Sequence, residues 1–285
     1  MKATTEVRPG LLDNDAAFTD PFYSRFTLRA APAPIQLTDA VAKPYRFPTL
    51  YGDVTCAIGI FLCDYARAAA LLPDPRLTPV RMTAGRSLVV LSCYEYKNVM
   101  GVAPYNEVSM MIPVQLDATL RIPILPMLAA GLFPSFGYWV FHMPVTSKEN
   151  QLRGNRIWGL PKVTEDIDVE EQGDECVTTA RAADGTPYFE LRVPMTGKPT
   201  PFDVSANVYS LLDGRIRTSR TSFKATFNVT KHGKPLWSRG ATPQRACLRI
   251  GDGPEAETLR RLEIEQHPFQ FRFAKHMTAA FDLPV

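Results

Sequence analysis

The chain has 285 residues, of which 45% are hydrophobic and 21% charged, with a formal net charge of +3. That length suffices for one large domain or two small ones and buries about three-quarters of the unfolded surface without disulfide or metal staples. The basic residues are scattered, with a mild cluster at Arg215, Arg217 and Arg220, which gives no support to nucleic-acid binding.

The 25 prolines argue against long helices and for many short strands joined by fixed turns. Cys56, Cys63, Cys93, Cys176 and Cys247 lie at no metal-like spacing and form no CxxC pair. They read as reduced, buried thiols in a reducing compartment. Residues 1–6 lack the apolar run of a signal peptide, so a cytoplasmic location is expected. Asn228–Val229–Thr230 is a glycosylation sequon by letter alone.

In chain order, residues 1–48 are interrupted by Pro32, Pro34, Pro44 and Pro48. They read as an extended N-terminal arm laid over the body or over a neighbouring subunit, with 49–285 as a single domain. Val54 to Phe61 is a short apolar strand. Asp64 is placed to cap a helix through Leu72, ended by Pro73 and Pro75. Ser87 to Tyr96 and Glu107 to Leu116 are further strands. Glu107 stands at the start of its strand, just after Pro104–Tyr105–Asn106. A carboxylate there is a candidate general acid–base, because partial burial raises its pKa toward neutrality. A surface glutamate beside a turn fits the same letters.

Ile122 to Phe141 carries no charge, and its length qualifies it as a membrane-span candidate. Pro123, Pro126, Pro134, Gly131 and Gly137 interrupt a spanning helix, so membrane contact is not expected. Tyr138 to Phe141 reads as a buried strand. The remainder suits core or interface packing, or a wall that would let the site take a larger, more apolar substrate.

Thr146 or Ser147 opens a short helix through Arg153, and Gly154 is expected to stop it. The stretch Gly154–Asn155–Arg156–Ile157–Trp158–Gly159–Leu160–Pro161–Lys162–Val163 follows. It sets Lys162 among apolar neighbours, after a proline that fixes its backbone. A lysine out of water loses charge stability, so its pKa falls and the neutral amine becomes a nucleophile for carbonyls. The alternative is a strand-edge lysine whose stem packs on Trp158 while its ammonium reaches solvent.

Three strands follow, over 162–169, 175–183 and 188–193, separated by hairpin signals at Gly173–Asp174 and Asp184–Gly185. Glu165, Asp166, Asp168, Glu170 and Glu171 read as a solvated strand face and turn, with no histidine near to suggest a metal. Val204 to Leu212 is expected as a short helix and Ile216 to Val229 as alternating strand. Cys247 to Ile250 is a short strand, Glu255 to Ile264 the best helix, and Phe269 to Phe281 a strand. His142, His232, His267 and His276 are scattered at no catalytic spacing. No phosphate loop or internal repeat is present.

Together, Gly101–Val114 (GVAPYNEVSMMIPV) and Gly154–Lys162 (GNRIWGLPK) resemble the acetoacetate decarboxylase superfamily. The resemblance covers about residues 50–280, with Leu71–Pro75 similar to the family's helix end. It implies a mainly β (α+β) fold, a large curved antiparallel sheet closed into a barrel-like cone with a few peripheral helices. It also implies a homo-oligomer that needs no metal or other cofactor and acts on a small-molecule carbonyl or keto-acid substrate. Lys162 takes the place of the Schiff-base lysine and Glu107 that of the facing glutamate. The family's lysine directly after the nucleophile is here Val163. The family's second glutamate falls near Ser92 and its active-site arginine near Val54, so both are missing here. The implied activity is therefore that of a Schiff-base lyase with an open substrate. Decarboxylation, aldol or dehydration chemistry, and ligand binding alone all remain compatible with these residues. Arg153 and Arg156 are candidates for holding a substrate carboxylate, though either suits a surface ion pair. Trp158 and Tyr105 are candidate site walls, or equally core aromatics.

Overall fold

The computed structural model describes residues 1–118, 122–240 and 242–285. Strand β1 (Thr49–Asp64) leads through helix α1 (Tyr65–Ala70) to a short β2 (Leu77–Pro79). Strands β3 (Arg86–Val99) and β4 (Tyr105–Leu116) follow, then α2 (Leu125–Leu128), β5 (Phe136–Val145), α3 (Lys148–Arg153) and β6 (Lys162–Thr164). A second sheet holds β7 (Asp166–Gln172), β8 (Glu175–Arg181), β9 (Pro187–Pro194) and β12 (Leu248–Ile250). The long pair β10 (Lys198–Leu212) and β11 (Arg215–Lys231) precedes α4 (Lys234–Trp237), α5 (Glu257–Arg261) and the last strand, β13 (Pro268–Phe281).

Seven strands close into a barrel in the order β5–β10–β11–β13–β1–β3–β4, with β4 pairing back to β5. The pairings are antiparallel except at β5–β10, which is parallel from Asn207↔Gly137 to Tyr209↔Trp139. The expected barrel-like closure with few peripheral helices is therefore present, as a mixed sheet with one parallel seam.

Both faces of the barrel wall are covered, which is why its strands read as near-continuous apolar runs instead of clean alternation. Along β1, Cys56, Ile58, Ile60 and Leu62 belong to the interior cluster. The intervening Ala57, Phe61 and Cys63 belong to a second cluster with Ile167, Ala180, Leu191 and Val193 of the second sheet. Barrel interior and sheet-on-barrel layer are thus two cores sharing one wall.

The first residues are tied to the second sheet and its neighbours. The Met1 amine pairs with Asp168, Lys2 with Asp166, and Thr4 bridges to Ser147. Those acids, expected as a solvated strand face, hold the chain's beginning in place. Two-residue strands pair Arg29–Ala30 with Arg46–Phe47 and Ile35–Gln36 with Ala42–Lys43. Phe22 and Tyr23 pack against Leu50, Met100 and Ala280.

Two local expectations change, over 204–212 and 255–264. Val204 to Leu212 is strand, not helix, because β10 pairs with β11 residue for residue from Lys198↔Val229 to Leu212↔Arg215. The two-residue loop Asp213–Gly214 has positive φ at both positions, 51° and 70°, the geometry that favours tight hairpins. Glu255 to Ile264 is helical only in its first part, a 3-10 turn over Pro254–Ala256 followed by α5. The apolar stretch over 122–141 divides between α2, a 3-10 turn and the start of β5. Among the described residues no helix is long and apolar enough to cross a membrane.

Gly137 lets the parallel seam close. A Cβ there would stand 2.6 Å from the carbonyl oxygen of Asn207, and a backbone atom cannot move aside as a side chain can. Gly137→Ala is expected to destabilise the protein by about 1–3 kcal/mol, read as a lowered midpoint in a denaturant titration.

Candidate active site

The position of Lys162 is built by the helix before it. Ser147 caps α3 by accepting from the Asn150 N–H at 3.3 Å. Gly154 does not end the helix, which continues as a wide turn over Gly154–Trp158 and stops at Gly159, where φ is 65°. Gly154 serves a different purpose: a Cβ there would collide with the Cγ, Cδ and Cε atoms of Lys162. A Cβ on Gly159 would collide with the backbone of Leu211. Each glycine of the motif therefore removes one obstruction, the first from the lysine stem and the second from the β10 backbone.

Lys162 then enters β6, parallel to β5 in the register Lys162↔Met143. Across β5, Val145 pairs with Glu107 of β4. The two side chains share the interior face, offset by two residues, and the lysine's length spans the offset. Its Nζ donates to Glu107 Oε2 at 2.6 Å, with side-chain exposures of only 8% and 4%. Tyr96 donates its hydroxyl to the other glutamate oxygen at 3.2 Å. The lysine also lies over the ring of Tyr105, 5.6 Å from its centroid.

Burial pushes the Lys162 ammonium below the ordinary lysine range. The Glu107 charge works against that shift, and the nearby Arg153 charge reinforces it. Burial likewise raises the Tyr96 and Tyr105 hydroxyls well above the usual tyrosine range, with the Glu107 charge acting in the same direction. Both phenols therefore stay protonated and serve as donors.

The pair opens onto a cavity of about 150 Å³ inside the barrel, whose walls are mostly aliphatic and aromatic. Its lining includes Ser92 and Ser109, one carboxylate, Glu107, and two cations, Lys162 and Arg272. Tyr138 and Val140 bring part of the apolar 122–141 stretch into the wall.

The other anticipated site residues lie around this cavity, not in its lining. Arg156 is on the outer surface, donating to the carbonyl of Gln36. Arg153 is buried, with its Nη atoms on Asn150 and Thr49 at 2.9 and 3.0 Å and its guanidinium over the Tyr45 ring. Neither arginine reaches the cavity to hold a carboxylate, because one is turned outward and the other is enclosed by its own partners. Trp158 is packed against Phe47 and Phe281 and donates to the carbonyl of Asp282 at 2.7 Å. Tyr105 supports the lysine from behind. Two residues went unnoticed in the sequence, Tyr96 and Arg272. Both follow the inward phase of their strands, Tyr96 in step with Val90, Ser92 and Tyr94 of the lining, and Arg272 in step with the buried Gln270.

The glycine argument is open to test. Gly154→Ala is expected to displace the Lys162 stem and break the Nζ–Oε2 contact in a crystal structure, and to destabilise by about 1–3 kcal/mol. Gly131→Ala, at a position with nothing within 4 Å of the added carbon, should do neither.

Comparison with known proteins agrees with this architecture. The sequence pattern of the family described as acetoacetate decarboxylase (ADC) matches residues 30–250. No match is found among curated proteins. Among solved structures, an acetoacetate decarboxylase is 16% identical over 84% of this chain and 88% of that one, with a TM-score of 0.56. The acetoacetate decarboxylase of Legionella pneumophila is 14% identical over 84% of this chain and 87% of that one, with a TM-score of 0.55. The enduracididine biosynthesis enzyme MppR complexed with pyruvate is 12% identical over 83% of this chain and 90% of that one, with a TM-score of 0.53. At such identities the structural likenesses concern the fold, while the sequence pattern spans most of the chain: this protein belongs to the acetoacetate decarboxylase family.

Proposed function

We propose that the protein is a Schiff-base lyase that acts on a keto acid or related carbonyl compound by decarboxylase-like chemistry. The observation that carries this reading is the 2.6 Å contact between Lys162 and Glu107, buried at the wall of an apolar cavity. The family supports the class of enzyme, and the pair supports the chemistry. In this reading the arm over 1–48 and the body over 49–285 work together as one subunit of a cytoplasmic homo-oligomer.

A proton shift along the Lys162–Glu107 contact gives a neutral amine beside a carboxylic acid. The amine attacks the substrate carbonyl. Glu107 protonates the carbinolamine hydroxyl, water leaves, and the iminium forms opposite the new carboxylate. In a β-keto acid the carbon–carboxylate bond then breaks, carbon dioxide departs, and its electron pair moves into the iminium to give an enamine. Glu107, reprotonated from solvent, protonates the enamine carbon. It next takes a proton from the attacking water, and collapse of the carbinolamine restores the amine. One solvent proton is consumed per turnover. Tyr96, held protonated by burial, keeps Glu107 oriented throughout.

A second reading has the same imine and enamine without loss of carbon dioxide. Its support is the fold likeness to MppR, a structure of which holds the condensation product of pyruvate and imidazole 4-carboxaldehyde. Both readings share Lys162 and Glu107 and differ in product.

Borohydride reduction in the presence of acetoacetate, pyruvate or larger keto acids should leave a stable adduct on Lys162, located by peptide mass. Lys162→Ala should abolish it. Glu107→Gln should slow its formation by about 100-fold or more, the usual weight of a positioned acid–base. Carbon dioxide release with the trapped compound selects decarboxylation over the second reading. A folded protein that binds ligands yet yields no adduct would mark a binding barrel.

A further inference from the structure

Arg272 has no place in the mechanism above, yet its charge is carried into the same cavity. The β13 residue pairs with Ile58 of β1, Ile58 with Ser92 of β3, and Ser92 with Ser109 of β4. These four positions share one row and one face of the wall. Glu107 lies on the next row, Glu107↔Tyr94↔Cys56↔Ala274. In a closed barrel of seven strands, β4 and β13 are three strands apart by one route and four by the other. They therefore stand on opposite walls, separated by an arc of about 14 Å at the usual strand spacing.

The head of Arg272 is poorly satisfied where it stands. Nη2 donates to Gln270 at 3.1 Å, the guanidinium lies 4.9 Å from the centre of the Phe202 ring, and Nε is buried without a partner. Among the described residues no carboxylate pairs with it, whereas the buried cations Lys43, Arg86 and Lys162 each have one. Arg153, which also lacks an acid, is buried and enclosed by Asn150, Thr49 and Tyr45, whereas Arg272 is half-buried. The Arg272 charge acts on the Tyr138 hydroxyl from across the barrel and on the Cys56 thiol, which agrees with a head directed inward. Since Glu107 and Lys162 offset each other, Arg272 leaves the lining with one positive charge in excess.

We propose that Arg272 anchors a carboxylate of the substrate at the wall opposite Lys162, so that the substrate is a keto compound with an apolar chain and a carboxylate remote from the reacting carbonyl. This rests on the imine reading for the carbonyl end. The carboxylate is favoured over a phosphate because a single guanidinium without a partner acid matches one negative charge. The anchor fixes which way round the molecule enters, with the reacting carbonyl at Lys162 and Glu107. It also supplies a cation distant from the nucleophile, where neither Arg153 nor Arg156 can serve.

The test pairs keto acids of equal length that differ in a terminal carboxylate. Wild-type protein should form the borohydride-trapped Lys162 adduct with α-ketoadipate at about tenfold lower concentration than with α-ketocaproate, as one charged hydrogen-bonded contact allows. Arg272→Gln should erase that preference, bringing α-ketoadipate trapping to the concentration that α-ketocaproate needs, and Arg272→Lys should restore part of it. A preference that persists in Arg272→Gln, or that is absent from the wild type, overturns the proposal. Calorimetric binding of caproate, which has no keto group to form an imine, separates this failure from failure of the imine reading. Binding that weakens about tenfold in folded Arg272→Gln supports the anchor even if no adduct forms with any compound. Equal binding by both proteins, or none by the wild type, refutes it.

Discussion

The account depends on the removal of one lysine from water beside one glutamate. A buried ion pair is no gift to stability, since desolvating both charges costs as much as their attraction returns. Its presence at the wall of a cavity is better explained by chemistry. The rest of the architecture keeps that pair dry. The second sheet covers the outer face of β1, β3 and β4, and Phe47 and Leu37 of the arm join the interior cluster. Tyr51, Tyr96 and Tyr105 stand in contact around Glu107, with ring centroids 4.8 Å apart at each step. Of the three, Tyr96 donates to the Glu107 carboxylate, and burial keeps its hydroxyl protonated.

Where the family pattern places a second lysine, this chain has Val163, half-buried beside the nucleophile. Burial is the larger cause of the depressed lysine here. A cation is nevertheless retained, because Arg153 at the end of α3 acts on Lys162 from the preceding turn. It is held within the interior by Asn150, Thr49 and the face of Tyr45. An arginine that cannot lose its proton suits that purpose better than a lysine that would titrate along with its neighbour.

The buried contact between Lys162 and Glu107 joins two residues that each sit in a short local motif. The Gly–Leu–Pro–Lys segment and the Pro–Tyr–Asn–Glu turn each carry their constraint within ten residues. The structure adds the reason for the glycines, which is steric clearance along the lysine stem and the β10 backbone. Helix α1 with its Asp64 cap was legible for the same local reason. What could not be read depends on register across the barrel. Arg272 meets the cavity only because β13 pairs with β1 from a distance of over two hundred positions. Tyr96 meets Glu107 through the β3–β4 pairing. The misread β10 is instructive. Its spacing of apolar residues fits a helix in isolation, and the Asp213–Gly214 turn that makes it a hairpin lies just beyond it.

The most direct measurement is the protonation of Lys162 itself, followed by competitive labelling with a small acylating reagent across pH and quantified on the Lys162 peptide. The account predicts a midpoint below the ordinary lysine value of 10.5, so that the neutral amine appears at lower pH than on surface lysines. Because the Glu107 charge opposes that shift, Glu107→Gln should move the midpoint lower still. A Lys162 that titrates like a free lysine in the folded protein, or a midpoint that rises in Glu107→Gln, would contradict the account.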